Sequence, residues 1–102
     1  MKSVDIIKAQ LESGAFEFSR HAFVRSVERN ISEAEIRESA RSLELIEEYP
    51  ADKYGPSSLF LGFTRADRPL HLQFSLAEGE ILRIITLYEP DPSQWTNFRA
   101  RS

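Results

Sequence analysis

The hydrophobic period of this chain changes once, near residue 43, and that change limits the folds open to it. Before it, apolar residues recur at helical spacing: Ile6, Ile7 and Leu11, then Ile36, Ala40 and Leu43. After it they alternate, with Leu70, Leu72, Phe74 and Leu76 set against His71, Gln73, Ser75 and Ala77. Side chains return to one face of a helix every three or four residues and to one face of a strand every two. A helical half over about 1–42 therefore precedes a sheet over about 43–88, followed by a tail over 89–102. Helices segregated from strands along the chain predict an α+β fold. At 102 residues the chain reads as one domain, 1–102.

Punctuation refines this order. Ser3 caps a first helix and Gly14 stops it, and Phe16 and Phe18 form a short extended connection. Ser19 caps a second helix running to about Arg29, with Asn30 as its end residue. Ser32 followed by Glu35 is a capping box for a third. Leu43 to Tyr49 reads as a strand with one wet face, at a sheet edge. Pro50 to Ser57 is a turn-rich loop, and Leu59–Thr64, Leu70–Ala77 and Ile81–Tyr88 are further strands. Two-residue turns at Ala66-Asp67 and Glu78-Gly79 would pair Leu72 with Leu61 and with Ile85. One face then holds Leu59, Leu61, Phe63, Leu70, Leu72, Phe74, Leu76, Ile81, Ile85 and Leu87, interrupted only by Arg83. The other is mixed: His71, Gln73, Ser75, Thr86 and Tyr88, with Phe60, Leu82 and Ile84. The expectation is about three N-terminal helices on one face of a four-stranded, mainly antiparallel sheet. Pro90 and Pro92 exclude a regular start to the tail, where Trp95 is expected to pack over a sheet edge.

Composition excludes several classes. There is no cysteine, hence no disulfide framework and no thiolate metal site. No glycine-rich phosphate loop, nucleophile elbow or metal motif is present, so no cofactor and no metal are expected. The N-terminus lacks the continuous apolar run of a signal peptide, and no stretch approaches membrane-spanning length, so the chain is expected to be cytoplasmic, without a membrane partner. A net charge of −3, from 13 Lys+Arg against 16 Asp+Glu, argues against coating nucleic acid by bulk electrostatics. It leaves room for a local basic site.

Such a site is suggested by Ser19 to Arg29, SRHAFVRSVER. His21, Arg25 and Arg29 recur every four residues, so they lie along one slowly drifting stripe of the second helix. Phe23 and Val27 form a second stripe, expected to be the packing face. Histidine moves protons near neutrality, and arginine holds phosphate through a fork of donors. RNA cleavage without a metal needs a base for the 2′-hydroxyl, a cation for the phosphorane and an acid for the leaving oxygen. His21, Arg25, Arg29, Lys53, His71 and Tyr88 supply those types if the helix lies beside the mixed face. The candidate catalytic set is His21, Arg25, Arg29, His71 and Tyr88, and the candidate phosphate set is Arg25, Arg29 and Lys53. The competing reading makes the helix stripe a solvated face and His71 a strand histidine satisfied by its neighbours.

FSRHAFVRSVERNIS, IEEYPADKYGPSSLFLG, RPLHLQFS and IITLYEPDPSQW together resemble a family of short bacterial proteins with a domain of unassigned function. That family is similar to the RelE/MqsR-like toxin superfamily, which includes BrnT-type toxins. The resemblance implies a RelE-like α+β fold and, through it, a toxin that cuts mRNA and is neutralised by an antitoxin of the zinc-finger or helix-turn-helix type. The positions that carry it are His21, Arg25, Glu28, Arg29, Tyr49, Tyr54, Gly55, His71, Thr86 and Tyr88, with Glu28 expected to orient Arg29. The alternative is a non-catalytic interaction module, a homodimer joined through the edge strand or the mixed face.

Overall fold

The computed structural model describes residues 1–102 and has the expected helix-then-sheet order, with differences in the sheet. Helix α1 spans Val4–Ser13. Ser3 caps it by accepting from Ile6 N–H, and Gly14 ends it in the left-handed region at φ 82°. Strand β1 (Phe16–Phe18) leads into α2 (Arg20–Glu28), and the Ser32/Glu35 capping box opens α3 (Glu33–Glu38), which tightens into a 3₁₀ turn over Ser39–Ser42. Strands β2 (Glu44–Tyr49), β3 (Ser57–Phe63), β4 (Pro69–Ser75) and β5 (Leu82–Tyr88) follow. No helix is long and apolar enough to cross a membrane.

The sheet has five strands, not four, in the order β1-β5-β4-β3-β2. The Phe16–Phe18 connection is the fifth, and it pairs parallel to β5 through Phe16↔Leu82 and Phe18↔Ile84. The remaining pairings are antiparallel, and β2 is the expected edge. The tail is more regular than expected: β6 (Trp95–Thr96) and β7 (Ala100–Arg101) form a second, two-stranded sheet.

Register differs from expectation at both hairpins, for separate reasons. Between β3 and β4 the turn holds three residues, Arg65 to Asp67. Thr64 N–H donates to Arg68 C=O at 3.0 Å, and Asp67 takes the left-handed conformation at φ 62° that a three-residue loop requires. The extra residue shifts the pairing by one, so Leu61 faces His71 and Phe60 faces Leu72. Between β4 and β5 no tight turn forms at Glu78-Gly79. Leu76 N–H continues the β3–β4 ladder by donating to Pro56 C=O, so β4 leaves β5 early. Leu72 thus pairs with Leu87 rather than Ile85, and His71 with Tyr88, with an irregularity at Gln73/Phe74.

The faces are therefore reassigned. Phe60, Leu70, Leu72, Phe74, Leu82, Ile84 and Leu87 join Ile7, Leu11, Ile36 and Ala40 in the main core, beneath the helices. Gly62, paired with Leu70, lies on that face, where a Cβ would meet Ser39 C=O at 2.6 Å. Leu59 and Leu61 belong to the opposite face with His71 and Gln73. The tail hairpin closes part of that face rather than an edge. Trp95, 5% exposed, meets the His71 ring edge-on at 4.5 Å, and Phe98 meets Phe63 at 6.3 Å. Ion pairs Arg99–Glu44 (2.7 Å) and Arg101–Glu47 (2.9 Å) tie the hairpin to β2.

Candidate functional site

Ser19 sets the position of α2. Its N–H donates to Ile84 C=O at 2.9 Å, its hydroxyl donates to Ile85 C=O at 3.0 Å, and the same oxygen accepts from Ala22 N–H. Pairing of β1 ends at that point, and the helix runs along the remainder of β5 in place of a strand. Ala22 and Ser26 are its buried residues; their small side chains let the helix backbone approach β5 closely. The expected packing stripe is reversed: Phe23 and Val27 are 57% and 66% exposed.

The His21/Arg25/Arg29 stripe divides into three environments. The His21 side chain is exposed and makes no hydrogen bond to another residue. Arg25 is half-buried and pairs with Glu28, so Glu28 serves Arg25 rather than Arg29. Arg29 donates to Leu87 C=O at 2.7 Å, satisfying a β5 carbonyl that β1 does not reach, and its guanidinium stands 5.9 Å from the Tyr88 ring centroid.

His21 borders a cleft of about 740 Å³. The cleft lies between the start of α2, the loop 50–56 and the ends of β4 and β5, with Lys53, Tyr54, Asp52, Gln73 and Arg83 among its lining. A hydrogen-bonded hub holds the loop in place. Asp52 accepts from Ser57 Oγ at 2.6 Å, from Lys53 N–H at 2.8 Å and from Gln73 Nε2 at 3.3 Å, and Gln73 Nε2 also donates to Ser57 Oγ at 3.0 Å. The Asp52 carboxylate is thus engaged by the scaffold, which leaves Lys53 and Arg83 as the cations facing the cleft. Arg83 meets Glu17 at 3.4 Å on the surface, and the Lys53 ammonium lies 5.3 Å from the Tyr54 ring centroid. Tyr54 is 89% exposed at the mouth.

The structure thus brings together His21 and Lys53, and leaves Arg25, Arg29, His71 and Tyr88 outside this cleft. Arg29 and Tyr88 line a different depression with Arg68, Glu89 and Asp91. Two carboxylates, Glu89 and Asp91, line that depression against the single Asp52 of the His21 cleft, and its Arg68 is already paired with Glu35 (3.0 Å) and Glu89 (2.8 Å). His71 is fully buried. Its Nε2 lies 2.7 Å from Phe98 C=O and must donate to it, so Nδ1 accepts from the Tyr88 hydroxyl at 3.2 Å. Burial pushes the His71 pKa down and the Tyr88 pKa up. Both describe a neutral, internally satisfied pair. Beside them, burial and the Glu47 carboxylate push the Tyr49 hydroxyl up to about 12, while Arg101 holds Glu47 below the usual carboxylate range.

Sequence reasoning missed Asp52, Gln73 and Arg83. Arg83 carried a signal, since it was the lone charge on a face otherwise read as apolar, and its place in the cleft follows from the corrected register. Asp52 and Gln73 are common in loops and on wet strands, and nothing in their spacing marks them as a hub.

An exposed histidine and two cations thus line one cleft over a pinned loop on an α+β scaffold. The model of a family described as a domain of unknown function (DUF4258) matches residues 18–89, and the chain belongs to that family. No curated protein and no solved structure matches the chain.

Proposed function

We propose that this chain is a metal-independent endoribonuclease acting at the His21 cleft, and that it is the toxin of a toxin–antitoxin pair acting on mRNA. The observation that carries the nuclease reading is that His21, Lys53 and Arg83 line one open cleft, whose single lining carboxylate, Asp52, is hydrogen-bonded to the scaffold. In this reading His21 removes the 2′-hydroxyl proton and the 2′-oxygen attacks the adjacent phosphorus. Lys53 and Arg83 neutralise the charge gathering on the phosphoryl oxygens. The bond to the 5′-oxygen breaks, and that oxygen takes a proton from Lys53 or Tyr54 at the rim. The products are a 2′,3′-cyclic phosphate and a 5′-hydroxyl. Arg25, Arg29, His71 and Tyr88, the other expected catalytic residues, act on the scaffold instead. The toxin role, and an antitoxin of the zinc-finger or helix-turn-helix type, rest on the resemblance carried by residues 18 to 95. The family match, residues 18–89, spans every lining residue used here.

The test is incubation of the purified chain with single-stranded RNA in the presence of a chelator. Cleavage leaving cyclic-phosphate ends, lost in His21→Ala and reduced in Arg83→Ala, is expected. RNA left intact by folded wild-type protein would contradict the reading.

A further inference from the structure

We propose that the outward face of α2 joins two copies of this chain about a two-fold axis passing near Val24. This does not rest on the nuclease reading: His21, three residues before Val24, borders the contact, so the two are tested separately. The helix buries only Ala22 and Ser26, while Phe23, Val24 and Val27 are 57%, 45% and 66% exposed. Residues three and four apart share a helix face, so these three form one continuous apolar patch. Phe18 extends it, meeting Phe23 edge-on at 6.1 Å. A patch of this kind on an otherwise polar helix marks an interaction surface.

Charge identifies the occupant as a second copy. A two-fold contact must be self-complementary, each patch meeting itself turned around. With two α2 helices antiparallel about Val24, Arg20 of one lies opposite Glu28 of the other. Arg20 is exposed and has no ion-pair partner within its own chain, whereas Glu28 holds only Arg25 and retains acceptor capacity. Each end of the apolar patch would then carry an Arg20–Glu28 pair, giving an apolar centre with a charged rim. The antiparallel arrangement also sets opposite helix dipoles side by side.

The sheet offers no equal alternative. The β1 edge is three residues long and carries the Glu17–Arg83 pair, and the β2 edge is tied to the tail hairpin by Arg99 and Arg101. Short or charge-guarded edges resist extension by another strand. The proposal thus differs from the alternative raised from sequence, a homodimer joined through the edge strand or the mixed face.

The chain has no cysteine, so single-cysteine variants report proximity without interference. Val24→Cys is expected to form a disulfide-linked dimer on mild oxidation, because an axial residue meets its own copy, while Glu12→Cys on α1 is not. Sedimentation should give a dimer for the wild type and a monomer for Phe23→Asp, with unchanged circular dichroism because Phe23 lies outside the core. Arg20→Glu sets two carboxylates against each other and should weaken the dimer roughly threefold to tenfold. A wild-type chain that sediments as a monomer up to its solubility limit, with Val24→Cys no more readily oxidised than Glu12→Cys, would overturn the proposal. A wild-type monomer that binds a different polypeptide through Phe23 would overturn it as well.

Discussion

The two histidines stand on opposite sides of one distinction. His21 opens the α2 helix, is exposed, and shares a cleft with Lys53 and Arg83. His71 sits mid-strand in β4, has no exposed surface, and spends both ring nitrogens on Tyr88 and Phe98. The residue type is the same, but one ring is available to a substrate and the other fastens the tail hairpin to the sheet. Chemical type alone therefore nominates both, and only connectivity separates them.

The sharpest way to break this comparison is to remove each ring in turn. His21→Ala should lower RNA cleavage by about 10²- to 10⁴-fold, the usual share of a positioned proton-transfer group, with no change in melting temperature. A fall in stability would place His21 with His71. His71→Ala should do the reverse. It leaves Phe98 C=O and the Tyr88 hydroxyl unpaired and opens space beneath Trp95, at a cost of about 2–4 kcal/mol in urea unfolding. Gly62→Ala provides a control for core packing. A Cβ there meets Ser39 backbone at 2.6 Å, so a loss of about 1–3 kcal/mol is expected from overpacking, while any activity per folded molecule is preserved.

Acid tests the place of His71 in another way. Burial holds the His71 pKa below its ordinary value of 6.5, so below that pH the unfolded chain binds more protons than the folded one. Stability should therefore rise with pH across the window just below 6.5 and fall as the solution is acidified through it. Urea midpoints measured on either side of that window should differ in wild type, and the part of the slope owed to this ring should vanish in His71→Gln. The smallest expected effect is at Arg25. Its pair with Glu28 is 38% and 53% exposed, and Arg25→Ala should cost under about 1 kcal/mol, with little change in cleavage.

What was legible in sequence follows the range of the interaction. The helix starts rest on contacts three residues apart, and Ser3, Ser19 and the Ser32/Glu35 box all cap as expected. The edge position of β2 was also legible, from its Glu44, Glu47 and Glu48. Strand register was not, because it depends on one residue. Asp67 at φ 62° turns a two-residue loop into a three-residue one and moves Leu59 and Leu61 to the far face. The facing of α2 was misread because Phe23 and Val27 have the right spacing for a packing stripe. Contact with β5 instead selects small side chains, Ala22 and Ser26, for close approach. In the cleft, His21 and Lys53 were named from their chemistry, while Asp52, Gln73 and Arg83 come together only once the β4 and β5 registers are right.

The most direct test follows both histidine rings by NMR as an uncleavable 2′-deoxy dinucleotide is added to the folded chain. The ring signals of His21 should shift with saturating dependence on the ligand, and Lys53→Ala should weaken that response. The ring of His71 should stay a neutral Nε2–H tautomer and remain unmoved. Saturating shifts at His71, or none at His21 at any ligand concentration, would contradict the division of roles on which the functional reading stands.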